Sequence, residues 1–384
     1  MNIENEIYSA IACNLDADIL SAALPLLESE KVAAIEWSFD TLFKHTQIPD
    51  WFRELLTVYG SHNRLVGHGV FFSLFSGKWL PEQAEWLVQL KKITAEFSFD
   101  HITEHFGFMT GKDFHKGAPI GIPYTPVTLS LGVDRLRRIQ DACQCPVGLE
   151  NLAFAYTLDE VKIHGHFLEK LITPVNGFII LDLHNIYCQM CNFGISYEEI
   201  IDLYPLDRVR EIHISGGSWA ETSSRPQQKI RRDTHDEAVP DEVFELLKRT
   251  FDKCLNLKYV VLEQIGAGLK SQESRDLFRQ DFEQLHRLVQ ANNKKYARLP
   301  NKKMSFSYLP DNAAIIDNFP PENADLYEQQ RQLTDILENS PNYSEATQRL
   351  YASALGQSAW NVELWPPEMI ETAMAIAQKW KNGF

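Results

Sequence analysis

Histidines and carboxylates recur at the ends of short apolar runs in this chain. His68 stands in Gly67-His68-Gly69-Val70 and His105 in Thr103-Glu104-His105-Phe106. Glu150 closes Gly148-Leu149-Glu150, and Asp182 is followed by Leu183-His184-Asn185. His213 lies in Glu211-Ile212-His213-Ile214-Ser215, Asp233 and His235 in Asp233-Thr234-His235-Asp236, and Glu263 closes Val261-Leu262-Glu263. A lone histidine on a strand is most often packing or surface, and His45, His62, His101, His115, His164, His166 and His286 are read in that plain way. The succession is what points to chemistry. Glu150, Asp182, Asp233 and Glu263 gathered in one place would repel one another and be costly to desolvate. Divalent or trivalent metal ions remove that difficulty. Imidazole plus carboxylate, with no thiolate among them, suits iron, manganese or zinc and disfavours copper(I) or an iron–sulfur cluster. The donors outnumber the four used by a tetrahedral zinc, so two or three metals are the natural count.

Something must bring these residues together. Eight candidate strands can be read, over 7–13, 32–39, 64–73, 97–104, 145–151, 177–184, 209–215 and 258–263. Helical patterns lie between them, most clearly over 17–29, 81–92, 127–142, 158–171 and 241–254. The strands are nearly continuous in apolar character, which is how strands read when helices cover a parallel sheet. Strand–helix alternation repeated this often predicts an α/β fold of the (β/α)₈ TIM-barrel type over residues 1–295. A doubly wound open sheet is the alternative, but no glycine-rich turn follows the first run. In a barrel the active site lies at the C-terminal strand ends, where the acids and histidines fall. Asp182 and His184 are two apart and would face one side of a strand. His184 and Asn185 then compete for one place, since a strand ending at Asp182 turns Asn185 inward instead.

Beyond residue 295 the character changes. Asn292-Asn293-Lys294-Lys295 and Pro300-Asn301-Lys302-Lys303 read as linker. Three helical patterns follow, over 324–338, 344–356 and 367–380, within a C-terminal extension of residues 296–384. This extension is either a brace or a lid over substrate or partner. With no proposed ligand after Glu263, it is expected to be separable from a metal-binding barrel.

Composition narrows the classes. A net charge of −15 is a poor basis for gripping phosphate backbones, so no nucleic acid partner is expected. No apolar run approaches the roughly 18 residues of a membrane span. Glu4, Glu6, Asp16 and Asp18 argue against a signal peptide. Six cysteines in 384 residues make no disulfide framework, so free thiols and a cytoplasmic location are expected.

Taken together, Glu104-His105, Glu150-Asn151, Asp182-Leu183-His184-Asn185, His213-Ile214-Ser215-Gly216 and Asp233-Thr234-His235-Asp236 with Val239-Pro240-Asp241 resemble the multinuclear non-heme iron-dependent oxidases. Relatives in that family make methanobactin and 3-thiaglutamate. The likeness runs in consistent order over residues 7–290. It implies two or three irons of mixed Fe(II)/Fe(III) valence, with O₂ as co-substrate. Their ligands would be His68, His105, Glu150, Asp182, Asn185, His213, Asp233, His235 and Glu263, with His184 as the second choice to Asn185. It implies oxidation of a cysteine in a ribosomally made precursor peptide. The outcome would be β-carbon excision, as in 3-thiaglutamate formation, or an oxazolone–thioamide. It also implies a small partner protein that binds the leader peptide. The stretch Glu36-Trp37-Ser38-Phe39-Asp40 lacks the Asn that the family commonly shows there, so no role is assigned to it.

Arg231 and Arg232, beside Asp233, would hold a peptide carboxylate bidentately, with a solvated loop as the plain alternative. Asn151 is assigned to the substrate with them. Cys188-Gln189-Met190-Cys191 reads more simply as two free thiols in a loop than as a redox pair. The competing function is a zinc or manganese hydrolase or isomerase on a similar barrel, as in endonuclease IV or the sugar isomerases. A barrel that has lost its chemistry is the third reading, and the full set of donors counts against it.

Overall fold

The apolar runs become eight parallel strands closed into a ring in the computed structural model, which describes residues 6–43, 48–111, 114, 116–296, 304–310 and 316–381. His45 and His115 lie outside the described residues. The barrel strands are β1 (Tyr8–Ala12), β2 (Ala34–Trp37), β3 (Leu65–Gly69), β4 (His101–His105), β5 (Val147–Glu150), β6 (Phe178–Asp182), β7 (Val209–Ser215) and β8 (Tyr259–Glu263). Each pairs with its chain neighbour, and β1 pairs with β8 from Tyr8↔Tyr259 to Ile11↔Leu262, which removes both sheet edges. A helix follows every strand, as the (β/α)₈ arrangement requires. Asp16, Thr125 and Thr157 cap the helices Ala17–Glu28, Pro126–Cys143 and Leu158–Ile172 through their side-chain oxygens, each worth about 1 kcal/mol.

Strand residues two apart share a face. On the inner face, Tyr8, Ala10, Ala12, Ala34, Val66, Tyr259 and Val261 form a small apolar cluster of their own. The same parity continues toward the C-terminal rim as Glu36, His68, Glu150, Asp182, His213 and Glu263. The outer faces of the strands and the inner stripes of the helices make the large core.

Three expected boundaries shift, each for a local reason. The strand expected over 64–73 stops at Gly69. There the Asp40 carboxylate accepts the N–H groups of Val70 and Phe71 at 3.0 Å each, which takes the backbone out of the ladder. The strand expected to reach His184 stops at Asp182, because Asp182 caps a helix over Leu183–Phe193 and accepts the Asn185 N–H at 2.6 Å. His184 and Asn185 therefore sit in the first turn of a helix. The expectation that Asp182 and His184 share a strand face is corrected, and so is the placing of Cys188 and Cys191 in a loop. The supposed linker start, Asn292–Lys295, is the last turn of a helix over Gln272–Tyr296. It stays helical against β1, where the Asn293 amide bonds both the N–H and the carbonyl of Ile7, at 3.0 and 2.8 Å.

The C-terminal helices Ala324–Asn339, Tyr343–Ala352 and Pro367–Trp380 pack on one another and on the barrel's loops. Leu333, Leu337, Leu350 and Ala373 are fully buried and continuous with the barrel's core. Gln330 bonds the Gly77 N–H and the Phe75 carbonyl at 2.9 and 2.7 Å. Trp365 stacks on Tyr156 with ring centroids 3.5 Å apart. That packing argues against a separable tail. No helix among the described residues is long and apolar enough to cross a membrane.

Candidate metal centre

Six of the expected ligands converge at the C-terminal rim in two sets that share Glu150. One set is His68, His105 and Glu150, and the other is Glu150, Asp182, His213 and Glu263, each with its donor atoms within 4.8 Å of one another. Glu150 Oε2 lies 3.2 Å from His68 Nε2 and 3.5 Å from His105 Nε2. Its other oxygen lies 3.4 Å from His213 Nδ1, and Glu263 Oε2 lies 3.2 Å from the same nitrogen. Glu150 is thus the carboxylate common to both sets.

The partners of the rings decide which nitrogen each presents. Thr103 donates its hydroxyl to the Gly67 carbonyl, so it accepts the Nδ1–H of His68 at 2.9 Å and leaves Nε2 bare. The Gly69 carbonyl, which can only accept, takes the Nδ1–H of His105 at 3.2 Å. Glu36 takes the Nε2–H of His213 at 3.0 Å, so Nδ1 faces the cluster. Three histidines on three strands thus turn a lone pair to one space, with the outer partner that ligating imidazoles characteristically have. Gly69 leaves room for the buried Glu104 carboxylate, since a Cβ there would meet Glu104 Oε1 at 1.8 Å.

Asp233 and His235 reach the site on the segment that follows the hairpin Trp219–Glu221/Lys229–Arg231. His235 Nε2 lies 2.7 Å from Asp233 Oδ1 and its Nδ1 lies 3.4 Å from Glu263 Oε1, which joins this pair to the rim. His235 holds φ +54, a left-handed conformation that costs a non-glycine residue of order 1 kcal/mol and recurs at functional sites. Gly217 lets the segment fold back, because a Cβ there would meet the Arg232 carbonyl at 2.2 Å.

The remaining expected residues take supporting places. Asn185 donates to the Asn151 carbonyl at 2.7 Å and leaves its Oδ1 buried without a partner. His184 has both ring nitrogens engaged. Its Nδ1 bonds Asp233 at 3.0 Å and its Nε2 accepts from Arg231 Nε at 3.2 Å, so no lone pair remains. Arg231 is thereby engaged through its Nε and packed over Tyr187 and Trp219, while it still lines the cavity above the cluster. Asn151 is corrected: its amide accepts the Asp182 N–H at 2.7 Å and donates to the Asp182 carbonyl at 3.2 Å. Arg232 lines the same cavity as Arg231.

Sequence reasoning missed the support beneath the ligands. Glu36 and Glu211 lie one strand pitch inward, at the parity of the ligands, with Glu211 Oε1 3.6 Å from His213 Nε2. Glu211 also pairs with the fully buried His101 at 2.6 Å, and Asp100 beside it pairs with Arg210 at 2.7 Å. A carboxylate two residues before a strand histidine was the signal available. With His213 these two carboxylates form a third grouping whose donor atoms lie within 4.8 Å of one another.

The electrostatics follow from crowding. Burial opposes charge on His213, yet Glu36, Glu150, Glu211 and Glu263 around it push its pKa well above the ordinary value. Burial opposes His68 too, and Glu150 brings it up to about 9. Burial, Asp233 and Glu150 push Asp182 well above the carboxylate range. Burial would raise Glu263, but His235 and His213 hold it well below. The site asks for positive charge, which protons or metal ions can supply alternatively.

Among the buried polar atoms without a hydrogen-bond partner are His68 Nε2, His213 Nδ1, Asp182 Oδ2, Asn185 Oδ1 and Glu263 Oε2, together with Ser215 Oγ and both carboxylate oxygens of Glu104 nearby. Each such atom costs about 1–3 kcal/mol if left unmet. The first five belong to the expected ligand set, and with the two donor groupings that share Glu150 the residues present fit a metal cluster. A cavity of about 470 Å³ opens above them, with His105, Glu150, Asn185, Asp233, His235 and Glu263 in its lining.

Known proteins resemble the chain in part. It is 27% identical over 189 residues to a UPF0276 protein of Acaryochloris marina, covering 48% of this chain and 64% of that one. It is 27% identical over 180 residues to a UPF0276 protein of Caulobacter vibrioides, covering 47% of this chain and 61% of that one. The match thus spans somewhat less than two thirds of these relatives. Among solved structures, D-psicose 3-epimerase from Clostridium cellulolyticum is 13% identical with a TM-score of 0.46, over 76% of this chain and 98% of that one. Endonuclease IV from Thermus thermophilus is 12% identical with a TM-score of 0.45, over 73% of this chain and 99% of that one. The fold itself rests on the strand pairing described above. Residues 28–267, which hold every member of the rim cluster, match the family model of the RiPP precursor modification enzymes MbnB/TglH/ChrH, and the chain belongs to that family.

Proposed function

We propose that this protein is an iron- and O₂-dependent oxidase that modifies a cysteine in a ribosomally made precursor peptide. The observation that carries the reading is the convergence of unpartnered nitrogen and oxygen donors under one cavity, in a chain of a peptide-modifying family. His68, His105, Glu150, Asp182, Asn185, His213, Asp233, His235 and Glu263 would hold about two or three irons, more than one tetrahedral site could use. Bound iron would supply the redox capacity to reduce O₂ and an open position suited to a substrate thiolate.

The chain's own residues prepare that position. Thr103, the Gly69 carbonyl and Glu36 hold three imidazoles in the tautomers that leave a lone pair inward. His184 orients Asp233 and is itself fixed by Arg231. No cysteine belongs to the donor set, and Cys188, the nearest, is buried beside His184 with its Sγ 4.0 Å from the ring. The place for sulfur is thus left to the peptide. Leu152 and Phe154 line the cavity and exclude water around it. β-Carbon excision and oxazolone–thioamide formation are the two outcomes that the family resemblance implies. A small leader-binding protein would supply the affinity that a cavity of this size cannot. The six cysteines are all free, in keeping with a cytoplasmic setting.

Elemental analysis of aerobically purified protein tests the reading, together with turnover of a cysteine peptide and its serine counterpart. Iron at about two or three per chain and loss of turnover without O₂ or without the thiol are expected. Zinc alone, or equal turnover with zinc in place of iron, overturns the reading in favour of a hydrolase or isomerase.

A further inference from the structure

We propose that the C-terminal helix Pro367–Trp380 is a wall of the substrate cavity and that Lys379 on it selects an acidic residue flanking the reacting cysteine. The proposal rests on the peptide-cysteine reading above. Thr372, Ile376, Lys379 and Trp380 line the same cavity as Glu150, Asp233, His235 and Glu263, although more than a hundred residues separate them in sequence. Their spacing, four, then three, then one, puts them along one face of the helix.

The wall is built, not merely nearby. Glu371 accepts the N–H and the hydroxyl of Ser223 at 2.9 and 2.7 Å, and those of Ser224 at 3.1 and 3.0 Å. Glu368, almost buried, pairs with Arg225 at 2.8 Å. The Trp380 carbonyl accepts the Gly117 N–H at 2.9 Å, which ties the helix end to the other side of the mouth. Ser223, Ser224 and Arg225 belong to the hairpin connection whose outgoing strand leads to Asp233 and His235. One helix therefore both faces the substrate and braces the segment that carries two of the proposed ligands.

Charge decides what this wall prefers. The cavity floor is acidic, with Glu150, Asp233 and Glu263 in it. Its lining contains three cations, and two are held close to the cluster: Arg231 by His184, and Arg232 beside Asp233 in sequence. Lys379 stands on the helix that lines the cavity, exposed, with its ammonium 4.7 Å from the centre of the Trp380 ring. A carboxylate avoids the floor and finds its partner there, while Ile376 and Trp380 offer apolar contact to the chain that carries it. A cavity of about 470 Å³ falls in the size range that takes a ligand of several residues rather than one thiol.

The test is calorimetric binding to the metal-loaded protein of acetyl-Asp-Cys-Asp-amide and acetyl-Asn-Cys-Asn-amide, together with both serine analogues. Symmetric flanks remove any question of direction. The native protein is expected to prefer the Asp peptide by about three- to fivefold, the worth of a partly exposed ion pair. K379E should reverse that preference and leave the Asn peptide within about twofold, and K379R should retain it. Equal binding of the two peptides by the native protein, or an equal loss for both in K379E, overturns the wall as a selector. The reading beneath fails differently: serine analogues binding as well as the cysteine peptides would sink the thiolate reading while the flank preference stood.

Discussion

Glu36→Gln is expected to weaken iron binding without unfolding the chain. Glu36 is 2% exposed, with its Oε2 3.0 Å from His213 Nε2. A carboxylate in that place fixes the ring and makes the opposite nitrogen a better donor. Losing such a partner costs about 10- to 100-fold in metal affinity, or about 1.4–2.7 kcal/mol. The structure separates two cases within that range. Glutamine keeps an oxygen that can accept the Nε2–H, so the tautomer survives and only the charge is lost. Glu211 Oε1, 3.6 Å from the same nitrogen, is too far to bond as it stands but supplies part of the missing charge. Glu36→Gln should therefore fall near the tenfold end. Glu36→Leu leaves a buried N–H unmet and should fall near the hundredfold end. The assay is anaerobic reloading of metal-free protein with Fe(II) against a chromophoric chelator, with thermal melts of the metal-free variants alongside. The melts should not fall for Glu36→Gln, because one charge leaves a crowded acidic site. Iron held as tightly by Glu36→Leu as by the native chain would refute the support assigned to Glu36.

Three further outcomes follow from the geometry. Glu263→Ala should lose metal and keep the fold, since Glu263 touches His213 and His235 at the rim; His286→Ala, whose ring bonds only Ser9 Oγ at 2.8 Å among its hydrogen bonds here, should leave metal content unchanged. Full metal in Glu263→Ala would remove it from the ligand set. Removing residues 300–384 should give an aggregating or strongly destabilised chain, because Leu333, Leu337, Leu350 and Ala373 are each 0% exposed; a soluble truncation with a cooperative melt would restore a separable barrel. Burial pushes His164 down to about 3, and its Nε2 accepts the Leu152 N–H, so the ring is neutral in the fold. Unfolded, it titrates near about 6.5, so the unfolded chain gains a proton that the fold refuses and stability falls as pH drops from about 6.5 toward 3. His164→Gln should flatten that slope in urea titrations of metal-free protein between about pH 7 and 5, and an unchanged slope would show the ring contributes nothing to it.

Much of this protein was written locally. Apolar runs of strand length, alternating with helical patterns, specify a barrel because a parallel strand must be covered on both faces and a helix is its usual return. The ligand types at strand ends were legible for the same reason: strand parity carries Glu150, Asp182, His213 and Glu263 to one side without any knowledge of neighbours. Motif order added the family. What failed were inferences that depended on where a strand stops. Asp182 capping the helix over Leu183–Phe193 put both His184 and Asn185 on a helix instead of a strand, and a cap depends on a side chain meeting a backbone N–H three residues on, which apolar periodicity does not register.

Only the tertiary structure decided the rest. The tautomers of His68, His105 and His213 are set by Thr103, Gly69 and Glu36, the last of them 177 residues away from its ring. Arg231 and Asn151 looked free for a substrate because a sequence shows a side chain's chemistry but not its partners. The helix Pro367–Trp380 was left between a brace and a lid, because a linear reading does not show what a helix packs against. Donor identity and strand parity are properties of short segments, and the sequence by itself determined those. Hydrogen-bond partners, the direction of a lone pair and the walls of a cavity are properties of residues brought together from distant segments, and those exist only once the ring of strands has closed.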